Sequence, residues 1–480
     1  MMVVASASED KEDEYSTREG GGRQVQSIVV ADDDEEEDQK QDDEGCRHTL
    51  NFSRTISVKS EVFCLVFSED ERFLLACCGD GLVCVFNPST GSLMSVLAPK
   101  RGRNEIDGDN LDYQSQHRSS IKENEATREE RKEGKRSPSL SSVEGLELPC
   151  TCAAFRPIGK REKTTGVALI GFSRGEFELW HVPSAKLLHT QPLPAPSEND
   201  RHALTTADEE ISTSRRQSTT LPPSQSPRTV PSPIGVEVLC CAYAGDGDSF
   251  AIGASDGVVR VYSDDTKGLL LELKPGLGRG AGHSNRVFGV KYHPDDPNIL
   301  VSGGWDNCVH VWDLSTACAT RTIFGPHVCG NAVDVVERTI LTGSWRNSLQ
   351  LETWSLDTGE ADGLAFWSGR GSAGVSHAGS GTARRCRLYA AAFGGPESSP
   401  GKFVAAGGGD GANEVKVFDF PNDRKLIGSL LGLSSGAISL AFARGGHRLA
   451  VGLANGQIHL IDITAVPPQA PHGGSKAVIF

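Results

Sequence analysis

No run in this 480-residue chain approaches the ~18 consecutive apolar side chains that a membrane-spanning helix needs. The N-terminus, MMVVASASEDKEDE, offers four apolar residues before acidic ones begin, too few for a secretory leader. A cytoplasmic or nuclear protein, neither secreted nor membrane-bound, is the expectation. No basic excess exists either: the formal net charge is -15. Residues 1–45 carry 16 acidic and 4 basic side chains, net -12, which leaves only -3 for the rest. Nucleic acid is therefore not an expected partner, because phosphate contacts need a concentrated basic face. Metal motifs are missing as well. Cys150-x-Cys152 has no second half at ligand spacing, and no helical stretch carries an HExxH pair, so neither a metal nor a cofactor is expected.

What the chain does have is strand pattern. Most of its 13 cysteines, among them Cys64, Cys77, Cys78, Cys84, Cys240, Cys241 and Cys308, fall inside apolar runs and suit small reduced core residues. Adjacent pairs such as Cys77-Cys78 and Cys240-Cys241 point to opposite faces of a strand. Residues 282–314, GHSNRVFGVKYHPDDPNILVSGGWDNCVHVWDL, combine a Gly-His opening, period-2 strands, an Asp-containing turn and a Trp-Asp close. This segment resembles a WD40 repeat. The resemblance implies a buried hydrogen-bonded set of His283, Ser302, Asp306 and Trp312, in which the aspartate accepts from the histidine and the histidine is tied to the hydroxyl and the indole N–H.

Six weaker copies surround it, and their turn positions read Asp80, Arg174, Asp256, Asp306, Arg346, Asp410 and Asn455. Uninterrupted spacings of 50, 40 and 45 residues match a four-stranded propeller blade. The expected fold is thus all-β, one seven-bladed WD40-type propeller over 46–464, with an acidic disordered tail at 1–45 and a C-terminal tail at 465–480. Longer gaps hold polar or Gly/Ser/Pro-rich stretches at about 98–146, 191–234 and 368–384, which bury too little apolar surface to fold and are expected as disordered insertions. Ring closure is expected from residues 47–55 as outer strand of the last blade, with the C-terminal KAVIF as the competing candidate. In blade five Trp354 stands two residues beyond its expected place.

Enzyme motifs fit poorly. GFSRG (171–175), GASDG (253–257) and GLSSG (432–436) match a nucleophile elbow, but the first two recur at one turn of successive repeats and precede strands. GLGRGAG (276–282) lacks the last glycine of a dinucleotide fingerprint and reads as an inter-blade loop. His310 and His459 read as satisfied core histidines. No catalytic residue is expected.

The resemblance implies an interaction platform whose partners meet the face built from turns. The residue before each turn position is Gly79, Ser173, Ser255, Trp305, Trp345, Gly409 or Ala454, and the two tryptophans stand out. Trp305, Trp345, Arg346 and Arg286 form the candidate protein-contact patch, Trp and Arg being the types that dominate interface energetics. Ser218 in a basophilic context and Ser137, Ser226 and Ser232 before proline are candidate phosphorylation sites. The expected function is a non-catalytic scaffold or adaptor in an intracellular complex, a propeller monomeric on its own that binds other proteins. Alternatives are a substrate receptor of a ubiquitin-ligase assembly and, in a different class, a propeller enzyme such as a hydrolase.

Overall fold

The computed structural model describes residues 29–31, 47–98, 148–158, 164–194, 235–276, 280–362, 367, 386–395, 399, 401–422 and 424–466. The candidate phosphoserines 137, 218, 226 and 232, the C-terminal KAVIF, and nearly all of the N-terminal tail and the three insertions lie outside them.

The described strands form seven antiparallel sheets, one per blade. Blade one comprises Val62–Phe67, Leu74–Cys78, Val83–Phe86 and Leu93–Leu97. Blade four, the best-kept repeat, comprises Val287–Tyr292, Ile299–Gly304, Cys308–Asp313 and Cys318–Phe324. The first strand of every blade neighbours the first strands of the blades on either side, so the seven inner strands close a ring around a central axis. Period-2 alternation then decides where each side chain goes. In blade four Val301, Val309 and Val311 pack toward blade five, while Leu300 and Trp312 pack toward blade three. Cys77 enters the layer between blades one and two, and Cys78 the layer between blades seven and one. The core is a succession of such inter-blade layers.

Closure uses the N-terminal side of the chain. Arg47–Ser57 pairs along its length with Gln457–Val466 and becomes the outer strand of blade seven. Its Leu50 fills the layer toward blade six and its Ile56 the layer toward blade one, so the strand seals both sides of the seam. Further upstream, Val29–Ala31 adds a fifth strand to blade six against Ser429–Leu431. The outer strand of blade two runs to Pro192, into the stretch read as an insertion. Blade five shows three strands among the described residues, Val333–Val336, Thr339–Gly343 and Leu351–Ser355.

Trp354 proves to be in register. It pairs with Ile340 as Trp312 pairs with Leu300, and its indole N–H donates to Thr342 Oγ1 at 2.9 Å. The two extra residues lie instead in the preceding turn, which closes from Ser344 to Gln350 where blade one closes from Cys78 to Leu82.

Candidate functional site

Each turn between second and third strands touches the link that enters the next blade, and the two together build one face of the ring. In blade four the Trp312 indole N–H donates to Ser302 Oγ at 2.8 Å. That leaves the Ser302 hydroxyl to donate to His283 Nε2 (2.8 Å), and His283 Nδ1–H to donate to Asp306 (2.9 Å to Oδ2). Burial works against the Asp306 charge, but the His283 bond and the backbone N–H groups of Ser284 and Cys308 hold its carboxyl below the usual range. All four residues of the set are joined.

The other blades solve the same problem with different chemistry. In blade two Arg174 donates to Glu178 at 2.8 Å, and Glu178 accepts the Trp180 indole N–H at 2.7 Å. Blade three reverses the signs, with Arg260 donating to Asp256 at 2.6 Å. Blade five reverses them again, with Arg346 donating to Glu352 at 2.6 Å and to Ser344 Oγ at 2.9 Å. Glu178, Arg260 and Glu352 escaped the sequence reading. All three stand two residues before the blade-closing aromatic, opposite in charge to the turn residue of the same repeat, and that internal pairing is the signal that finds them. Burial outweighs their partners and pushes the Glu178 and Glu352 carboxyls up.

His310 holds the same position in blade four and departs from expectation. Its Nδ1 meets Thr322 Oγ1 at 3.0 Å, but its buried Nε2 has no partner. Burial, then the neighbouring His283, pushes His310 down to about 4. His459 bonds Thr55 Oγ1 at 2.9 Å through Nδ1. GFSRG and GASDG span second-to-third-strand turns, and GLSSG lies in the link from blade six to blade seven.

The face itself is partly aromatic. Inner strands of six blades carry a bulge at one place, with Phe63, Thr151, Leu239, Phe288, Tyr389 and Ile438 as the extra residues. Each is at least partly exposed. Trp305, 38% exposed, tilts against Phe288 (ring centroids 5.4 Å) and stacks on His327 (6.2 Å). The Trp345 N–H donates to the His327 carbonyl, and the Trp345 ring lies 4.2 Å from Tyr389. Arg286 lies over Trp305 and pairs with Glu237. Arg346 directs its guanidinium into its own turn, and the arginine over Trp345 is Arg387, itself paired with Asp410 at 2.8 Å. The structure thus joins Trp305 to Arg286 and, through His327, to Trp345. It adds Phe288, His327, Tyr389 and Arg387, which no sequence pattern marked.

Comparison with known proteins agrees with this architecture. The family model described as "WD domain, G-beta repeat" matches residues 46–87, 228–263 and 277–313. Cell division control protein 4 of Saccharomyces cerevisiae is 36% identical over 91 residues, 19% of this chain and 10% of that protein. A guanine nucleotide-binding protein subunit beta-like protein of Encephalitozoon cuniculi is 33% identical over 19% of this chain and 26% of its own length. A guanine nucleotide-binding protein subunit beta of Nicotiana tabacum is 29% identical over 23% of this chain and 29% of its own length. The matched part spans less than a third of each relative. Among the described residues no helix is long and apolar enough to cross a membrane, which says nothing of membrane barrels. With three matched repeats, a buried His-Ser-Asp-Trp set and seven blades closed into one ring, the chain belongs to the WD40-repeat family of β-propellers.

Proposed function

We propose that the aromatic arc from Trp305 through His327 and Trp345 to Tyr389 is a protein-docking surface, and that the chain is a non-catalytic scaffold built around it. The observation that carries this reading is that blade closure needs neither indole: each lies on the face, while Trp312 and Trp354 make the inward bonds. Aromatic anchors with arginines at their edge are the side chains that concentrate binding energy in interfaces. In this reading the protein is intracellular, monomeric as a propeller, and binds neither nucleic acid nor membrane.

The three long insertions support the same face. The first two leave after Ala98 and Pro194, past the outer strands of blades one and two, and return at Leu148 and Gly235 before the next inner strands; the third lies between Asp362 and Cys386, before the inner strand of blade six. Such links touch the turns: the Leu148 and Val236 carbonyls lie against Gly81 and Gly175. Phosphate on Ser137, Ser218, Ser226 or Ser232 would place new charge on segments rooted on the same face of the ring.

The test is affinity capture with the full chain and with a Trp305→Ala/Trp345→Ala variant, read by mass spectrometry and paired with thermal melts. A stoichiometric partner lost by the variant at unchanged melting temperature supports the proposal. Retained capture, or a collapse of stability, overturns the docking role. Recovery of a ubiquitin-ligase core would assign the substrate-receptor reading.

A further inference from the structure

The turn of blade four brings together a second kind of chemistry. His283 comes from the link entering the blade, Asp306 from the turn, and Cys308 and His310 from one face of the third strand. The imidazole nitrogens of His283 and His310 and a carboxylate oxygen of Asp306 lie within 4.8 Å of one another. Both histidines are buried, at 3% and 1% exposure, and the Asp306 side chain is 4% exposed. Two of the three are bonded to each other, as the repeat requires. His310 is the surplus. Its Nδ1 is engaged by Thr322, and its buried Nε2 makes no full hydrogen bond; among the described residues the Gly282 backbone is its one polar neighbour besides the His283-Asp306 pair. A native interior rarely strands such an atom unless something else satisfies it.

We propose that His283, Asp306 and His310 form a site for a divalent ion of the zinc type, with His310 Nε2 as the third ligand; the one other histidine at this place, His459 of blade seven, faces Asn455 in place of the turn aspartate. Two imidazoles and a carboxylate are a donor set that suits zinc, whose N and O ligands sit at about 2.0–2.2 Å. The ion takes the place of the proton between His283 Nδ1 and Asp306. That proton moves to Nε2, where Ser302 Oγ accepts it while still accepting the Trp312 indole N–H, and the Ser302 hydroxyl hydrogen rotates away from Nε2. The His-Ser-Trp connection therefore survives loading. The three ligands leave one tetrahedral position open.

The corresponding positions in the other blades do not repeat the set. They hold Cys84, Glu178, Arg260, Glu352, Lys416 and His459, with a basic turn residue in blades two and five and Asn455 in blade seven.

The experiment uses the full chain, stripped with a chelator and dialysed against zinc alone, with metal read by atomic emission and cobalt(II) substitution read by its visible bands. The wild type should retain about one zinc per chain and show tetrahedral cobalt bands. His310→Gln, which leaves the His283-Ser302-Trp312 connection untouched, should lose both while keeping the wild-type melt without metal. A stripped wild type that is folded and takes up no zinc overturns the proposal. So does zinc retained in full by both His310→Gln and Asp306→Asn, which would place the ion on the chain's thiols.

Discussion

The pair Asp256 and Arg260 offers a quantitative test of how the diverged blades hold their turns. Both side chains are almost fully buried, at 6% and 3% exposure, and two N–H groups of the guanidinium meet the carboxylate at 2.6 and 3.2 Å. Charge centres about 4 Å apart attract by roughly 4 kcal/mol at an effective dielectric near 20. Removing one partner should cost about 3–5 kcal/mol, because the survivor stays buried and uncompensated. Asp256→Asn keeps the turn, since its oxygen still accepts the Val258 N–H, and strands Arg260 with only Glu272 at 3.5 Å. Arg260→Met strands the carboxylate. The double variant strands neither and resembles blade seven, which holds Asn455 and an uncharged side of the His459 ring at these places. It should lie within about 1 kcal/mol of wild type, giving a coupling of about 5–10 kcal/mol in a double-mutant cycle. Equilibrium urea unfolding measures it. A double variant as unstable as the sum of the singles would refute the claim that these pairs are interchangeable closures.

Other consequences are open to measurement. Ser302→Ala removes the oxygen that accepts the Trp312 indole N–H and the donor to His283 Nε2, so two buried groups are stranded and stability should fall by about 2–5 kcal/mol in urea unfolding. Deleting residues 1–57 removes the outer strand of blade seven and should leave the chain aggregated by size-exclusion chromatography, whereas deleting residues 1–28 should leave a monomeric peak with an unchanged melt. Burial holds the His459 imidazole below its ordinary range, so the unfolded chain binds the proton more tightly. The stability from the neutral ring is present above the unfolded pKa of about 6.5 and is lost as pH falls from there toward the folded value. His459→Gln should flatten the fall in urea midpoint between about pH 7.5 and 5.5, and an unchanged slope would contradict the assignment.

How far the sequence speaks depends on whether a feature repeats. Blade period, turn positions and the closing strand at 47–57 are legible because each is a periodic pattern imposed by alternate burial. The charged pairs were hidden for a related reason. Arg174 and Arg346 look like losses of the turn aspartate when each repeat is read alone, and become replacements only when Glu178 and Glu352 are read beside them. The bulge residues share a place and no chemistry, since Phe63, Thr151, Leu239 and Tyr389 have little in common, so nothing local marks them. His327 lies in a link without periodicity and reaches Trp305 only through the curvature of the ring. Val29–Ala31 is three residues long, too short to show alternation against its acidic neighbours.

The proposed docking role of Trp305 and Trp345 follows from what the backbone does without them. In five blades the residue before the turn position donates its N–H to the residue just before the inner strand: Gly79 to Glu61, Ser173 to Pro149, Ser255 to Glu237, Trp305 to Arg286 and Ala454 to Gly436; in blade five Trp345 donates to His327, in the link six residues before Val333, all at 2.9–3.0 Å. The bond is the same whether the side chain is a hydrogen, a hydroxymethyl or an indole. The fold therefore sets the main chain at this position and leaves the side chain free. Contacts with Phe288 and Tyr389 do stabilise the two rings, by about 0.5–1.5 kcal/mol each, but a glycine or serine does the structural work elsewhere at no such exposure of apolar surface. Two adjacent blades spend the same freedom on the largest apolar side chain, on the same face, joined through one histidine. Ring closure alone gives no reason for that arrangement, and the proposed docking role supplies one.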